Sequence, residues 1–169
     1  LGRDGAGSSD PKYAGKLMGA AYFYQLTHAP LEAVLPMLLE KSVAAGWQVM
    51  VLGSDDNRMK WLDEKLWMGR DDGFLPHGLA GGAHDAAQPI LLTTTGSTAN
   101  NPTCILAVDG ADVTADQVTE MQRVSILFDG NDEVALAHAR GQWKALTDAG
   151  CSAQYWSQES GHWEKKAER

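Results

Sequence analysis

The sequence predicts a single α/β domain with a mostly parallel sheet covered by helices on both faces. Short apolar, β-prone runs alternate with segments of helical period along nearly the whole chain. The first run, AAYFYQL, is apolar and aromatic enough to be a buried strand, as parallel sheets require. No internal repeat and no linker divides residues 18–169.

Taken in order, Ala20–Leu26 is the first strand. Leu31, Val34, Leu35, Leu38 and Leu39 recur at helical spacing, with Pro30 suited to a first turn. Pro36 falls inside that pattern at a cost of about 3 kcal/mol, which predicts a kink or a later helix start. Gly46 closes the helix, and Gln48–Leu52 is the second strand. Ser54 is placed to cap the next helix, and Asp55 and Asp56 suit the positive end of its dipole. That helix runs to about Met68, and a loop follows over Gly69–Pro89. Ile90–Thr94 and Thr103–Val108 are strands, Thr114–Gln122 is a short helix, and Val124–Phe128 is a strand. Asn131 or Asp132 caps a long helix ending at Gly150. Ser152–Ser157 is expected to be the last strand, with a charged tail over residues 158–169 that frays or extends as a helix.

The chain has 169 residues, 44% of them apolar, enough for one hydrophobic core. No run approaches the roughly 18 apolar residues of a membrane span. A formal charge of −8 disfavours direct contact with a phosphate backbone, so a role near DNA would go through another protein. Two cysteines, Cys104 and Cys151, do not make a disulfide framework, and a cytoplasmic location is the expectation. Residues 1–17 are rich in glycine, serine and aspartate and lack periodicity. They read as a foreign leader, with Met18 the original start and residues 18–157 the domain.

An α/β domain invites a nucleotide, and the motifs for one are missing. The turn after the first strand reads QLTHAP and has no glycine to admit a pyrophosphate. Asp55 and Asp56 stand where a ribose-binding carboxylate could sit, but without a phosphate loop they read as helix-start residues. No phosphate loop, zinc-binding HExxH or nucleophile turn occurs, so no catalytic residue and no cofactor is predicted. The best metal candidates, His77, His84 and Asp85, have loop-like spacing and read as surface groups rather than ligands. Cys104, inside an apolar run, reads as an inert buried thiol.

Two surfaces remain. Met59, Leu62 and Leu66 form the buried stripe of the second helix, and Trp67 lies about 100° off its centre. Trp67 therefore sits at the rim of the core beside Phe74, Leu75 and Pro76. The group is either a satellite cluster under the loop or a partly exposed docking patch, and the spacing does not separate these. In the last long helix, Ala135, Leu136, Ala139, Trp143 and Leu146 make the apolar face, with Arg140 and Lys144 as a basic ridge along one margin. Pattern alone favours an ordinary solvated face, with the cations pairing Asp148 or Asp132. The alternative is a grip for an acidic peptide, Arg140 taking a carboxylate and an aromatic settling by Leu136 or Trp143.

The run AAYFYQL, LDEKLW (Leu62–Trp67), GFLPHGLAG (Gly73–Gly81) and the element order to Gly150 resemble the chi subunit of bacterial DNA polymerase III holoenzyme. LDEKLW followed by FLPH is the most specific part, and the resemblance covers the chain after Met18. It implies a Rossmann-like fold without nucleotide-binding loops and a non-catalytic accessory of the clamp loader. It also implies two partners: the psi subunit, and the acidic C-terminal tail of single-stranded DNA-binding protein. Carried over by position, the psi-facing patch is Trp67, Phe74 and Pro76, and the tail-binding patch is Phe128, Arg140, Trp143 and Lys144. Trp143 stands where the family suggests tyrosine, Leu136 where it can carry lysine, and Asp129 where an apolar residue is expected. These departures predict a weaker electrostatic grip. The rival readings are an enzyme of unknown type using the His77–Gly82 loop, a nucleotide binder without standard motifs, and an interaction module of a helicase or repair complex that uses the same aromatic surface.

Overall fold

A computed structural model describes residues 19–68 and 75–169. The predicted leader, residues 1–17, and Phe74 lie outside them. Among the described residues the chain runs β1 (Ala20–Leu26), α1 (Leu31–Ala44), β2 (Val49–Leu52), α2 (Asp56–Met68), β3 (Gly78–Leu79) and a 3-10 turn (Asp85–Ala87). It continues through β4 (Ile90–Thr93), β5 (Cys104–Ala107), α3 (Ala115–Glu120), β6 (Arg123–Asp129), α4 (Glu133–Asp148), β7 (Ser152–Ser157) and β8 (Glu164–Glu168). The strands form one sheet in the order β3-β4-β2-β5-β6-β1-β7-β8, parallel except for β8. This is the Rossmann-like α/β architecture the sequence predicts.

Period-2 alternation splits the central strands between two cores. Met50 and Leu52 of β2 and Ile105 and Ala107 of β5 join Val118 of α3 and Ala139 and Leu146 of α4 on one face. Val49, Val51, Cys104 and Leu106 join Leu35 and Leu39 of α1 and Met59 and Leu62 of α2 on the other. Both faces are thus covered, which is why these strands read as continuous apolar runs.

Four local expectations are revised. The first helix starts at Leu31, not later, and holds Pro36 in its second turn. Burial of Val34, Leu35 and Leu39 on the sheet outweighs one missing N–H. Asp55 caps α2, its Oδ2 accepting the Arg58 amide at 2.9 Å, while the Ser54 hydroxyl donates instead to the Asp109 carbonyl at 2.6 Å. The loop after α2 contains β3, two residues paired in parallel with β4 at the sheet edge. The charged tail forms β8, antiparallel to β7. Its Lys165 and Glu168 pair at 2.9 Å, and its exposed charges suit an outermost strand, where they discourage pairing with another chain.

Adjacent strands β1 and β6 send their helices to opposite faces, α1 to one and α4 to the other. In open α/β sheets the crevice at the carboxyl ends of such a pair is where ligands bind. Here it measures about 920 Å³.

Candidate functional site

The end of α2 separates a buried stripe from an exposed aromatic. Met59 and Leu62 are buried and Leu66 half-buried, as the helical spacing predicts. Trp67 is 51% exposed, and Met68 beside it is exposed too. The Trp67 ring lies tilted on His77, with ring centroids 4.1 Å apart. His77 is only 3% exposed, so it is not the surface histidine the loop composition suggested. Its Nδ1 lies 2.6 Å from the Leu75 carbonyl oxygen and its Nε2 3.2 Å from the Asp63 carbonyl oxygen. These contacts fasten the loop to α2 and give Trp67 a rigid backing. Leu75 packs against the core and Pro76 is half-buried. Leu75 thus belongs to the core on this face of the sheet, whereas half of Trp67 faces water.

Trp61, further round α2, is a different kind of group. Arg58 lies 4.5 Å above its ring, and Lys65 5.5 Å from it. The same Arg58 guanidinium donates through Nε and Nη2 to the Asp109 carboxylate at 3.0 and 3.1 Å. Trp61 and Arg58 therefore brace α2 against the turn after β5.

On α4 the residues sort by angle. Ala139 and Leu146 point into the core. At about 100° per residue, His138, Gln142 and Ala135 fall on one flank and Trp143, Leu136 and Arg140 on the other. The first flank is tied to the β5–α3 connection: His138 meets Asp112 at 2.7 Å, and Gln142 bonds both the amide and the carbonyl of Val113. The second flank lies over β1 and β7. Trp143 is half-buried, edge-on to Phe23 and Tyr155. Phe128 is 7% exposed and meets Tyr155 at 5.9 Å. Arg140 is exposed and makes no ion pair among the described residues. Lys144, exposed, is bound to Asp148 at 2.7 Å.

Of the four residues assigned to tail binding, Arg140 and Trp143 share one flank of α4 and Phe128 of β6 joins the same aromatic cluster through Tyr155, while Lys144 stands further out, paired with Asp148. Tyr155 was missed. Its hydroxyl donates to Gln25 Oε1 at 2.6 Å; burial raises its phenol above the usual range, and nearby Arg140 acts in the opposite sense. Gly130 lets this corner close, because a Cβ there would collide with Gln25. Once Phe23 and Tyr155 are known to be cross-strand partners, the alternation Ala153, Tyr155 in β7 identifies the residue. Without the pairing, the sequence carries no such signal.

The turn after β1 explains structurally what its missing glycines suggested. The amides of Thr27, His28 and Ala29 all donate to one atom, Gln158 Oε1, at 2.8, 2.9 and 3.1 Å. Three convergent N–H groups make an anion-binding nest, and this one already holds a side-chain oxygen of the chain itself. A phosphate at this turn would first have to displace Gln158.

Among the described residues no group of three His, Cys, Asp or Glu side chains is arranged to hold a metal ion. Asp85 accepts the Gly81 and Gly82 amides at 2.8 and 3.0 Å, and His84 is exposed. Cys104 is fully buried, and burial pushes its thiol up to about 11. No described helix is long and apolar enough to cross a membrane.

With this geometry in place, comparison with known proteins settles the family. Among curated proteins none matches the chain. The family model described as DNA polymerase III chi subunit, HolC, matches residues 18–154, most of the chain and every element from β1 to α4. The chain therefore belongs to the DNA polymerase III chi subunit family.

Proposed function

We propose that the protein is a non-catalytic accessory subunit of the clamp-loader complex of DNA polymerase III. In this reading it joins the psi subunit through Trp67, Phe74 and Pro76, and holds the acidic C-terminal tail of single-stranded DNA-binding protein through Arg140, Trp143, Lys144 and Phe128. It acts in the cytoplasm, needs no cofactor and touches nucleic acid only through its partners. Family membership supports the replication role.

The observation that carries the tail assignment is Arg140: an exposed cation without an ion pair among the described residues, beside half-buried Trp143 and Tyr155, in a chain of net charge −8. A guanidinium can take a carboxylate through two parallel hydrogen bonds, and the aromatic cluster beside it offers an apolar side chain a rigid platform. Leu136 packs against the core rather than adding a charge, and Lys144 is shared with Asp148, so the grip rests mainly on Arg140. The psi assignment is supported by the half-exposed Trp67 on its rigid His77 backing, since tryptophans with one buried face are the usual anchors of protein interfaces. Titrating the folded protein with a labelled acidic tail peptide at low salt tests the first assignment, and co-elution with psi tests the second.

A further inference from the structure

The crevice between β1 and β6 sits on the flank of α4 opposite Arg140. Its floor is apolar, formed by Leu26, Ala107, Ile126 and Leu127, and Val134, 79% exposed, stands at its mouth. In this architecture such a crevice serves anions, because helix N-termini and strand-end amides converge on it. Here the chain has filled those places with its own oxygens. Gln158 Oε1 takes the nest ahead of α1. Asp55 takes the N-terminus of α2, and Asp132 that of α4, accepting the Val134 and Ala135 amides at 2.9 and 3.4 Å.

The remaining charge at the mouth is negative. Glu32, Asp55, Asp129 and Asp132 line it and are exposed. Opposite them stand Arg58, neutralised by Asp109, then His138, paired with Asp112, and His28, whose Nε2 lies 3.3 Å from the Glu159 carbonyl oxygen. Helix dipoles contribute only about half a positive charge each, so they do not cancel four carboxylates. An apolar floor under an acidic rim fits a cation carried next to an apolar side chain.

We infer that the crevice docks a protein segment in which lysine or arginine flanks a large apolar residue. The apolar side chain enters between Leu26 and Ile126, and the cations meet Asp55, Asp129 and Asp132. This surface is separate from Trp67 and lies on the flank of α4 opposite Arg140, sharing only Phe128 with the proposed tail-binding patch, so it would serve a third contact whose test depends on neither Trp67 nor Arg140.

The test uses an acetylated, amidated hexapeptide of alternating lysine and leucine, titrated into the full chain and followed by backbone amide NMR. Shifts concentrated at Thr27, Gly110 and Val134 are expected. The combined variant Asp55→Asn, Asp129→Asn, Asp132→Asn retains the helix-capping oxygens while removing charge, and should bind about tenfold more weakly. A lysine–serine hexapeptide should bind at least as weakly as that variant does. Shifts scattered over the surface, equal binding by the serine peptide, or unchanged affinity in the triple variant would overturn the inference. Shifts of the same amides by ATP would overturn it as well, since the crevice would then accept phosphates.

Discussion

Trp143 meets Tyr155 edge-on, with ring centroids 6.0 Å apart and planes at 73°, and meets Phe23 in the same manner at 5.4 Å and 65°. One side chain thus completes the core beneath α4 and leaves an edge at the surface beside Arg140. Trp143→Ala should lose both roles, destabilising the protein by about 3 kcal/mol and abolishing tail-peptide binding. Trp143→Tyr, which keeps an aromatic platform, should retain most of both. Urea unfolding alongside peptide titration checks this. An alanine variant of unchanged stability would contradict the packing described.

Trp67 makes the opposite trade. Half of it faces water and its buried half rests on His77, so Trp67→Ala should cost about 1 kcal/mol or less. Co-elution with psi in size-exclusion chromatography should nevertheless be lost. Retained co-elution would remove Trp67 from the psi interface.

Gln158 holds three backbone amides with one oxygen. Gln158→Ala leaves them to water or unpaired and should destabilise the fold by about 2 kcal/mol. Gln158→Glu keeps the acceptor and adds a negative charge ahead of α1, where the dipole favours it, so stability should be equal to or above that of the parent at pH 7. Chemical denaturation of the two variants distinguishes a filled nest from incidental contacts: equal losses in both would contradict it.

The order of elements and the two-sided sheet were legible because hydrophobic period and strand composition are local. Ala20–Leu26, the stripe of Met59 and Leu62, and the Asp132 cap could all be read from neighbours within a few residues. What could not be read depends on contacts across the sheet. Gln158 reaches Thr27 over 131 positions, and Tyr155 meets Phe23 only through strand pairing. His77 looked like a surface group because a glycine-rich loop surrounds it; its burial comes from the Leu75 and Asp63 carbonyls and the Trp67 ring. The tail after β7 reads in sequence as frayed or helical, yet it is an edge strand in which Glu164 and Glu168 pair Lys166 and Lys165, and such a strand tolerates those charges.

Burial raises the Cys104 thiol to about 11, against an ordinary value of 9.0, and the group is shielded from solvent. At pH 8 a thiol reagent should label Cys151, which is partly exposed, and reach Cys104 only when the protein opens. The raised value has a sign for stability. Below pH 9 both folded and unfolded thiols are protonated and the contribution is intact; as pH rises towards 11 only the unfolded thiol ionises, and stability falls. The loss is about 2–3 kcal/mol by pH 11. Denaturation curves across that range should show this slope in the parent and its absence in Cys104→Ala. Tyr155 titrates alike in both proteins and cancels in the comparison, whereas Tyr24, raised mainly by burial and in smaller part by the Cys104 charge, loses that smaller part in Cys104→Ala.

The proposed hold of Arg140 on the acidic tail of single-stranded DNA-binding protein is open to one decisive titration. The tail peptide, labelled, is added to the folded parent, to Arg140→Ala and to Lys144→Ala at low and at high salt. The parent should bind, and more weakly as salt rises. Arg140→Ala should weaken binding at least about tenfold with an unaltered melting midpoint, the measure of a charged carboxylate bond lost at an exposed site. Lys144→Ala should weaken it less, because Asp148 already holds that ammonium. No binding at low salt, or equal binding by Arg140→Ala, would contradict the account.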